Sequence, residues 1–256
     1  MSFLSQLEAS IQPLKHLHYL EYFETIDSTN REAMRQLEVG VESGTVIIAQ
    51  QQSSGRGRLG RVWHSMKDGL AMSIILRPDV AAEKVSQLSL VTAVALHQAL
   101  IHYTPDIRLK WPNDLLIHGA KVSGILTEIQ MTSKHVDGVV IGLGVNVKAP
   151  PMGWPDDIEQ RATDLQSHAI QTVSRSSCAI DILQSLDKWY ETYLQQGFSP
   201  IRKAWWQAHI ASQKNIRVFD GKDYIQGIAI GLDQDGALLL DVQGHVQRLM
   251  AGEVFL

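Results

Sequence analysis

The sequence predicts an α+β protein: a mixed, mostly antiparallel sheet carrying helices, followed by a small β-rich module. Two observations predict it. Up to Ser212, segments with helical spacing alternate with short apolar runs. From Gln213 onward helical spacing disappears, and Asp220-Gly221, Asp235-Gly236 and Gln243-Gly244 punctuate short β-rich stretches. The expected domains are therefore 1–212 and 213–256. A chain of 256 residues with 45% hydrophobic and 20% charged side chains has room for one large and one small domain.

The elements follow in order. His18 to Phe23 reads as a strand, and Thr29 with Glu32 fits a capping box opening a helix that stops near Gly40. Thr45 to Gln50 and Leu70 to Leu76 are apolar strands. Between them, the Gly55–Arg61 segment is too glycine-rich to be regular. Ser86 to Tyr103 carries Leu88, Val91, Ala95, Leu96 and Ala99 at helical spacing and reads as a buried helix. Short strands follow: Ile107 to Lys110, a hairpin of 115–117 and 122–129 around His118-Gly119, and 136–147 with an interruption at Gly142-Leu143-Gly144. Ala149 to Pro155 is a loop. Ser174 to Gln196 is a helix capped by Gly197, and Ser199 to Ser212 a second one, with Ser199 as N-cap and Pro200 at its first position. Four or five strands then complete the small module, which reads as a barrel or sandwich.

Composition narrows the function. The net charge of −4 argues against a nucleic acid as the main partner. No apolar run approaches the ~20 residues of a membrane span, and the first residues lack the basic and apolar regions of a signal peptide. The single cysteine, Cys178, lies in a helical pattern, reads as packing or surface, and suits a reducing compartment, so the expected location is cytoplasmic. The ten histidines show no metal spacing, and no Gly-x-Ser-x-Gly elbow is present. Asp156-Asp157 reads as solvated, and Trp205-Trp206 as core and interface.

Two segments carry the chemistry. In Gly55-Arg56-Gly57-Arg58-Leu59-Gly60-Arg61-Val62-Trp63, three glycines let the backbone approach a ligand, and three arginines offer planar charged forks for phosphate or carboxylate oxygens. The glycine spacing alone is weak: no Gly-Lys-Ser/Thr ending makes it a Walker loop, and no clear helix follows to make it a dinucleotide fingerprint. A flexible basic surface loop is the plain alternative. An anion that offsets the arginines' mutual repulsion would order it. In Lys110-Trp111-Pro112-Asn113-Asp114, alternation places Lys110 on the face opposite Leu109, which is also how a solvated strand-end lysine would lie. Asn113-Asp114 is ordinary turn chemistry. Ser28-Thr29-Asn30 is a complete helix start whose hydroxyls and N–H groups could also hold a polar ligand head.

Taken together the segments resemble the biotin protein ligases, over nearly the whole chain. The matching pieces are Asp27-Ser28-Thr29-Asn30, Gln52 through Trp63, Lys110 through Leu115, Lys121-Val122-Ser123-Gly124-Ile125-Leu126-Thr127-Glu128, Ile141 through Asn146, and Gly252-Glu253. Each is modest, and the ordered set is specific. The resemblance implies a class II synthetase-like catalytic domain with a small C-terminal SH3-like β-barrel. It implies that biotin's carboxylate attacks the α-phosphate of MgATP to give biotinyl-5′-AMP, and that a lysine of the biotin carboxyl carrier protein of acetyl-CoA carboxylase then takes the acyl group. It implies roles by position: Ser28, Thr29 and Gln52, beside Asn30, toward the ureido ring; Arg56, Gly57 and Arg58 as a loop over biotin and phosphate; Trp63 as an apolar wall. Lys110 would be the main catalytic side chain with Arg58, and Asn146 an adenine-side contact. The magnesium ligands are not assigned.

The sequence departs from the family in three places. Members that repress transcription carry an N-terminal helix-turn-helix domain, whereas here the first strand begins at His18, implying the ligase-only form with no DNA partner. Gln50 stands where the family often has an acidic residue. The sequence closes on Phe255-Leu256, where many members continue through a serine, leucine and arginine. The nearest competing reading is a lipoate or octanoate ligase, disfavoured by the Arg/Gly and Lys-Trp-Pro-Asn-Asp segments. A small-molecule- or RNA-binding module is a second, disfavoured by the acidic balance. The expected assembly is a monomer or weak homodimer, with edge strands near the C-terminal half of the sheet as a pairing surface.

Overall fold

A computed structural model describes residues 2–132, 135–155, 158 and 161–255. Asp156-Asp157 lies outside them. Seven strands form the main sheet: β1 (Tyr19–Ile26), β2 (Thr45–Gln52), β3 (Leu70–Leu76), β4 (Ile107–Lys110), β5 (Asp114–Ile117), β6 (Ala120–Thr132) and β7 (His135–Val145). Their order is β1-β2-β3-β7-β6-β5-β4, and only β1 and β2 run parallel. That pair is parallel because a crossover helix, α2 (Thr29–Glu38), joins the two strands.

Alternation sorts side chains to the two faces. Val46 and Ile48 of β2, Leu70, Met72, Ile74 and Leu76 of β3, and Val139, Ile141, Leu143 and Val145 of β7 enter the main core. Helices α1 (Phe3–Ile11), α3 (Val85–Leu100), α4 (Arg175–Gln196) and α5 (Ser199–Ala208) cover that face. The opposite face carries a small cluster of Ile47, Ile75 and Val140 under Ala33 and Leu37 of α2. Beyond α2 that face is open, and the cleft described below lies there.

Five further strands form an antiparallel sheet in the order β11-β10-β9-β8-β12: β8 (Asn215–Phe219), β9 (Tyr224–Leu232), β10 (Leu238–Val242), β11 (His245–Leu249) and β12 (Glu253–Phe255). Gly236, at φ +88°, lets the β9–β10 turn lie against Leu90 and Phe198. Trp111, 2% exposed, donates its indole N–H to the Gly236 carbonyl at 3.3 Å, and Gln87 donates to the Gln234 carbonyl at 2.9 Å. The small sheet is thus hydrogen-bonded to the large domain.

Several sequence expectations are corrected. The capping box is absent: Ser28, not Thr29, is the N-cap and makes no side-chain cap bond, while Glu32 receives Arg35 at 2.7 Å. The Thr29 hydroxyl faces Gln52 instead. Gly142-Leu143-Gly144 does not interrupt β7, which is paired to β3 and β6 at all three residues. The last helix ends at Ala208 rather than Ser212, because His209 turns extended and Ile210 donates its N–H to the Leu109 carbonyl at 2.9 Å. Its helical residues begin at Ser199, so Phe198 is the N-cap. The Arg/Gly segment turns tightly over Arg58–Gly60, with Leu59 and Gly60 both at positive φ. Helix α1 was not foreseen, although Ser2 precedes apolar residues at 3, 4, 7 and 11 and caps the Ser5 N–H at 3.1 Å. Cys178 is fully buried in α4, as are Trp205 in α5 and part of Trp206.

Two buried histidines make stability pH-dependent. Burial pushes His97 and His209 down to about 4, from 6.5 when unfolded. A base with a depressed folded pKa binds its proton more readily in the unfolded chain. Its contribution is therefore intact above pH 6.5 and is lost as pH falls from 6.5 toward 4. The thermal midpoint should fall steadily between pH 7 and pH 5, and the slope should be shallower in His97→Gln than in wild type, whatever the variant's absolute stability. Equal slopes would remove His97 as a cause.

Candidate functional site

Strand pairing sets small residues in a row across the open face. Ala49 pairs with Ala71, Ala71 with Gly144, Gly144 with Gly124, Gly124 with Asp114, and Asp114 with Lys110. Directly paired residues share a face, so this row is a shallow floor of backbone that ends at Lys110. Leu109 is fully buried in the core and Lys110 emerges on the cleft side, as alternation requires. A second row, Ile47, Ser73, Gly142 and Leu126, lies beside it.

The floor is low because of its glycines. A Cβ on Gly142 would overlap Asn30 Oδ1, and one on Gly144 would overlap the Trp63 indole, which also lies against Gly124. Over the floor opens a cleft of about 730 Å³, a volume suited to a small-molecule ligand. It is lined by every residue singled out from the sequence: Ser28, Thr29, Asn30, Gln52, Arg56, Gly57, Arg58, Trp63, Lys110 and Asn146.

One end is polar and neutral. Gln52 Oε1 accepts from the Thr29 N–H at 2.8 Å, which orients the side-chain amide and leaves its NH₂ without a partner among the described residues. Ser73 Oγ sits 2.8 Å from Thr29 Oγ1 and 2.7 Å from Asn30 Oδ1. Asn30 donates to the Leu126 carbonyl at 3.2 Å and to Glu128 at 2.9 Å. Ser28 is 1% exposed, lines the cleft, and its hydroxyl has no partner among the described residues. An unpaired buried hydroxyl costs about 1–3 kcal/mol, which a ligand that meets it can recover.

The other end is cationic. The Arg/Gly loop is closed by Gly57 N–H to Arg61 carbonyl at 2.8 Å and by Trp63 N–H to Gly55 carbonyl at 3.0 Å. A Cβ on Gly55 would overlap the Trp63 carbonyl, so this closure requires glycine there. Arg56 pairs with Glu128 at 3.0 Å, and Arg61 forks onto both oxygens of Glu253 at 3.2 and 2.7 Å. Arg58 donates to Asn113 Oδ1 at 2.9 Å. Burial lowers the pKa of Arg58, with Asp114 opposing the shift. Burial also lowers that of Lys110, opposed by Asp114 and Glu253. Lys110 has no hydrogen-bond or ion-pair partner among the described residues. Lys121 pairs with Asp114 at 2.6 Å and lies 5.9 Å from the centre of the Trp63 ring. Asn146, 7% exposed, donates to the Thr163 carbonyl at 3.0 Å and so ties the segment after residue 160 to the sheet. Sequence reasoning passed over Ser73, the glycine floor and Asn113.

The cleft thus joins a neutral polar end to a cationic one over a glycine floor on a mixed sheet. Residues 22–146 match the biotin/lipoate A/B protein ligase family, and residues 212–256 match the biotin protein ligase C-terminal domain. The chain is 37% identical to the bifunctional ligase/repressor BirA of Bacillus subtilis, over 92% of this chain and 73% of that one. It is 35% identical to the biotin–[acetyl-CoA-carboxylase] ligase of Paracoccus denitrificans, over 90% of this chain and 97% of that one. Its structure superposes on the biotin protein ligase of Aquifex aeolicus in complex with biotin and ATP with a TM-score of 0.79, at 28% identity, covering 93% and 97% of the two chains. The chain belongs to the biotin protein ligase family.

The floor makes a sharp demand. Gly144→Ala should displace the Trp63 ring and weaken biotin binding at least tenfold by calorimetry, with the fold retained by circular dichroism. Unchanged affinity would mean that Trp63 does not wall the pocket.

Proposed function

We propose that this chain activates biotin with ATP as biotinyl-5′-AMP and transfers the biotinyl group to one lysine of the biotin carboxyl carrier protein of acetyl-CoA carboxylase. The observation that carries the reading is the pairing of a neutral polar pocket with two cations, Lys110 and Arg58, that form no ion pair among the described residues, on one continuous floor. The free Ser28 hydroxyl and the Gln52 NH₂ offer the donors that a cyclic urea's carbonyl needs, with Thr29 and Asn30 fixing their surroundings. Trp63 and the glycine floor would enclose the apolar body of the ligand. The ligand's carboxylate would then reach toward Lys110 and Arg58.

In the first step a carboxylate oxygen bonds to the α-phosphorus and the bond to pyrophosphate breaks. Two anions must meet and negative charge must grow on the phosphorus, so fixed cations in a water-poor cleft lower the barrier. Lys110 would serve the carboxyl and α-phosphate oxygens. Arg58, with the Gly57 backbone, would hold the adenylate, and Arg56 would anchor the loop over biotin. Asn146 would contact the adenine side through its remaining amide oxygen. In the second step a neutral lysine amine attacks the acyl carbon, AMP leaves, and an amide remains.

Among the described residues, magnesium fits this site as part of the nucleotide. Among the described residues no group of three or more histidine, cysteine or acidic side chains could hold a metal. The cleft's Asp114, Glu128 and Glu253 are each paired to a cation. MgATP is therefore the proposed substrate form, its ion held by phosphates and water.

No helix among the described residues is long and apolar enough to cross a membrane. A cytoplasmic setting is supported by the buried free thiol of Cys178, and neither DNA nor membrane is needed by the reaction. Domains of 1–212 and 213–256 and a monomer or weak homodimer complete the proposal. The backbone bond from Ile210 to Leu109 occupies part of the β4 edge that a second copy would use.

Exchange of labelled pyrophosphate into ATP tests the chemistry. Exchange should require biotin and should not occur with lipoate or octanoate, and their acceptance instead would move the activity to those acids. Lys110→Ala should slow biotin-dependent exchange by at least ~10²-fold, the scale of one lost transition-state donor. Wild-type rates in that variant would remove Lys110 from catalysis.

A further inference from the structure

The acidic side chains around the cleft are arranged so that their charge is already met. Asp114 lies 2.6 Å from Lys121, Glu128 3.0 Å from Arg56, and Glu253 2.7 Å from Arg61. Of the three loop arginines, two are therefore ion-paired and sit at the half-exposed rim. Arg58 differs. Its hydrogen-bond partner is a neutral amide, Asn113 Oδ1 at 2.9 Å, and no carboxylate of the described residues forms an ion pair with it.

Asn113 is itself rigidly held. Its NH₂ donates to the Ile125 carbonyl at 2.8 Å, and the Ile125 N–H donates back to the Asn113 carbonyl at 3.0 Å. The amide orientation follows, so the oxygen must face Arg58. An aspartate at this position would bind the guanidinium more strongly, but it would lose the donor that meets the Ile125 carbonyl. It would also cancel the charge that a bound anion needs. A neutral acceptor fixes position and leaves charge available.

We infer that Asn113 is the positioning residue of Arg58, a neutral acceptor that aims the guanidinium into the cleft while keeping its charge for the adenylate phosphate. Arg56 and Arg61 are then loop anchors, and Arg58 and Lys110 are the two cations that face the ligand. The inference rests on the proposed adenylation reaction and adds a residue that turn chemistry alone had seemed to explain.

The test compares Asn113→Asp, Asn113→Ala and wild type in affinity for biotinyl-5′-AMP and for biotin methyl ester, a neutral occupant of the same pocket. Asn113→Asp should lose at least tenfold in adenylate affinity, the scale of one charge-assisted hydrogen bond, and no more than about twofold in ester affinity. Asn113→Ala should lose less than Asn113→Asp. A purely structural role, including the loss of the donor to the Ile125 carbonyl, predicts that ester affinity falls as far as adenylate affinity. Adenylate affinity in Asn113→Asp equal to wild type, or better than in Asn113→Ala, overturns the inference. If the aspartate variant does not fold, a double-mutant cycle carries the test. The loss caused by Asn113→Ala should vanish in an Arg58→Ala background, and an undiminished loss there overturns the inference equally. Biotin-dependent pyrophosphate exchange by the wild-type chain is the separate control: its absence would sink the adenylation reading, whatever Asn113 does.

Discussion

The cleft depends on one constraint, the close approach of side chains to bare backbone along β6 and β7. Gly124, Gly142 and Gly144 fall on the same face because each strand side chain returns every second residue and directly paired residues point the same way. Their missing Cβ atoms let the Trp63 ring and the Asn30 amide lie almost on the sheet. Glycine weakens a strand interior, since it packs nothing and loses more entropy on folding. Here the strand survives because its other face is Val139, Ile141, Leu143 and Val145, all within the main core. One face supplies the stability and the other is released for binding.

A second constraint is electrostatic. Five basic side chains, Arg56, Arg58, Arg61, Lys110 and Lys121, come to one cleft in a protein of net charge −4. Left unpaired they would repel one another and open the loop. Asp114, Glu128 and Glu253 relieve that repulsion, and they come from β5, β6 and β12. The loop is thereby fastened at both ends to different sheets. Its tip, with Leu59 at φ +55° and 83% exposed, remains at the surface.

Much of this was legible in the residues, and what was missed has physical reasons. Lys110 was readable because Ile107-Arg108-Leu109-Lys110 alternates and one face is buried. The turns at Gly221, Gly236 and Gly244 were readable because each has positive φ in the structure and glycine tolerates it. Gly142 and Gly144 read as a break because glycine has low strand propensity. What fills the space above them comes from residues 30 and 63, far away in the chain. Ser73 carried a usable signal, the lone polar side chain in Leu-Ala-Met-Ser-Ile-Ile-Leu, and a buried hydroxyl needs partners. The supposed capping box failed because the same residue types cap helices and bind ligands. Only the register of β2 against β1 shows that Gln52 lies beside Ile26 and takes the Thr29 N–H. Asn113 read as turn chemistry because a turn is what it makes, and its second bond reaches 55 residues back to Arg58.

The small C-terminal sheet follows the same logic. Trp111, inside the Lys-Trp-Pro-Asn-Asp segment, is buried and donates its indole N–H to the Gly236 carbonyl, while its ring also meets the space above Gly252. Next in sequence to Gly252 is Glu253, which holds Arg61. The backbone that presents Lys110 and the loop that presents Arg58 are therefore both fastened to one short antiparallel sheet, by an indole at one point and a carboxylate at the other. A shift of one residue in the β12–β8 register would turn Glu253 to the opposite face and release the loop. Placing these two anchors on the small sheet makes its packing a condition for the cationic end of the cleft, although neither cation belongs to it.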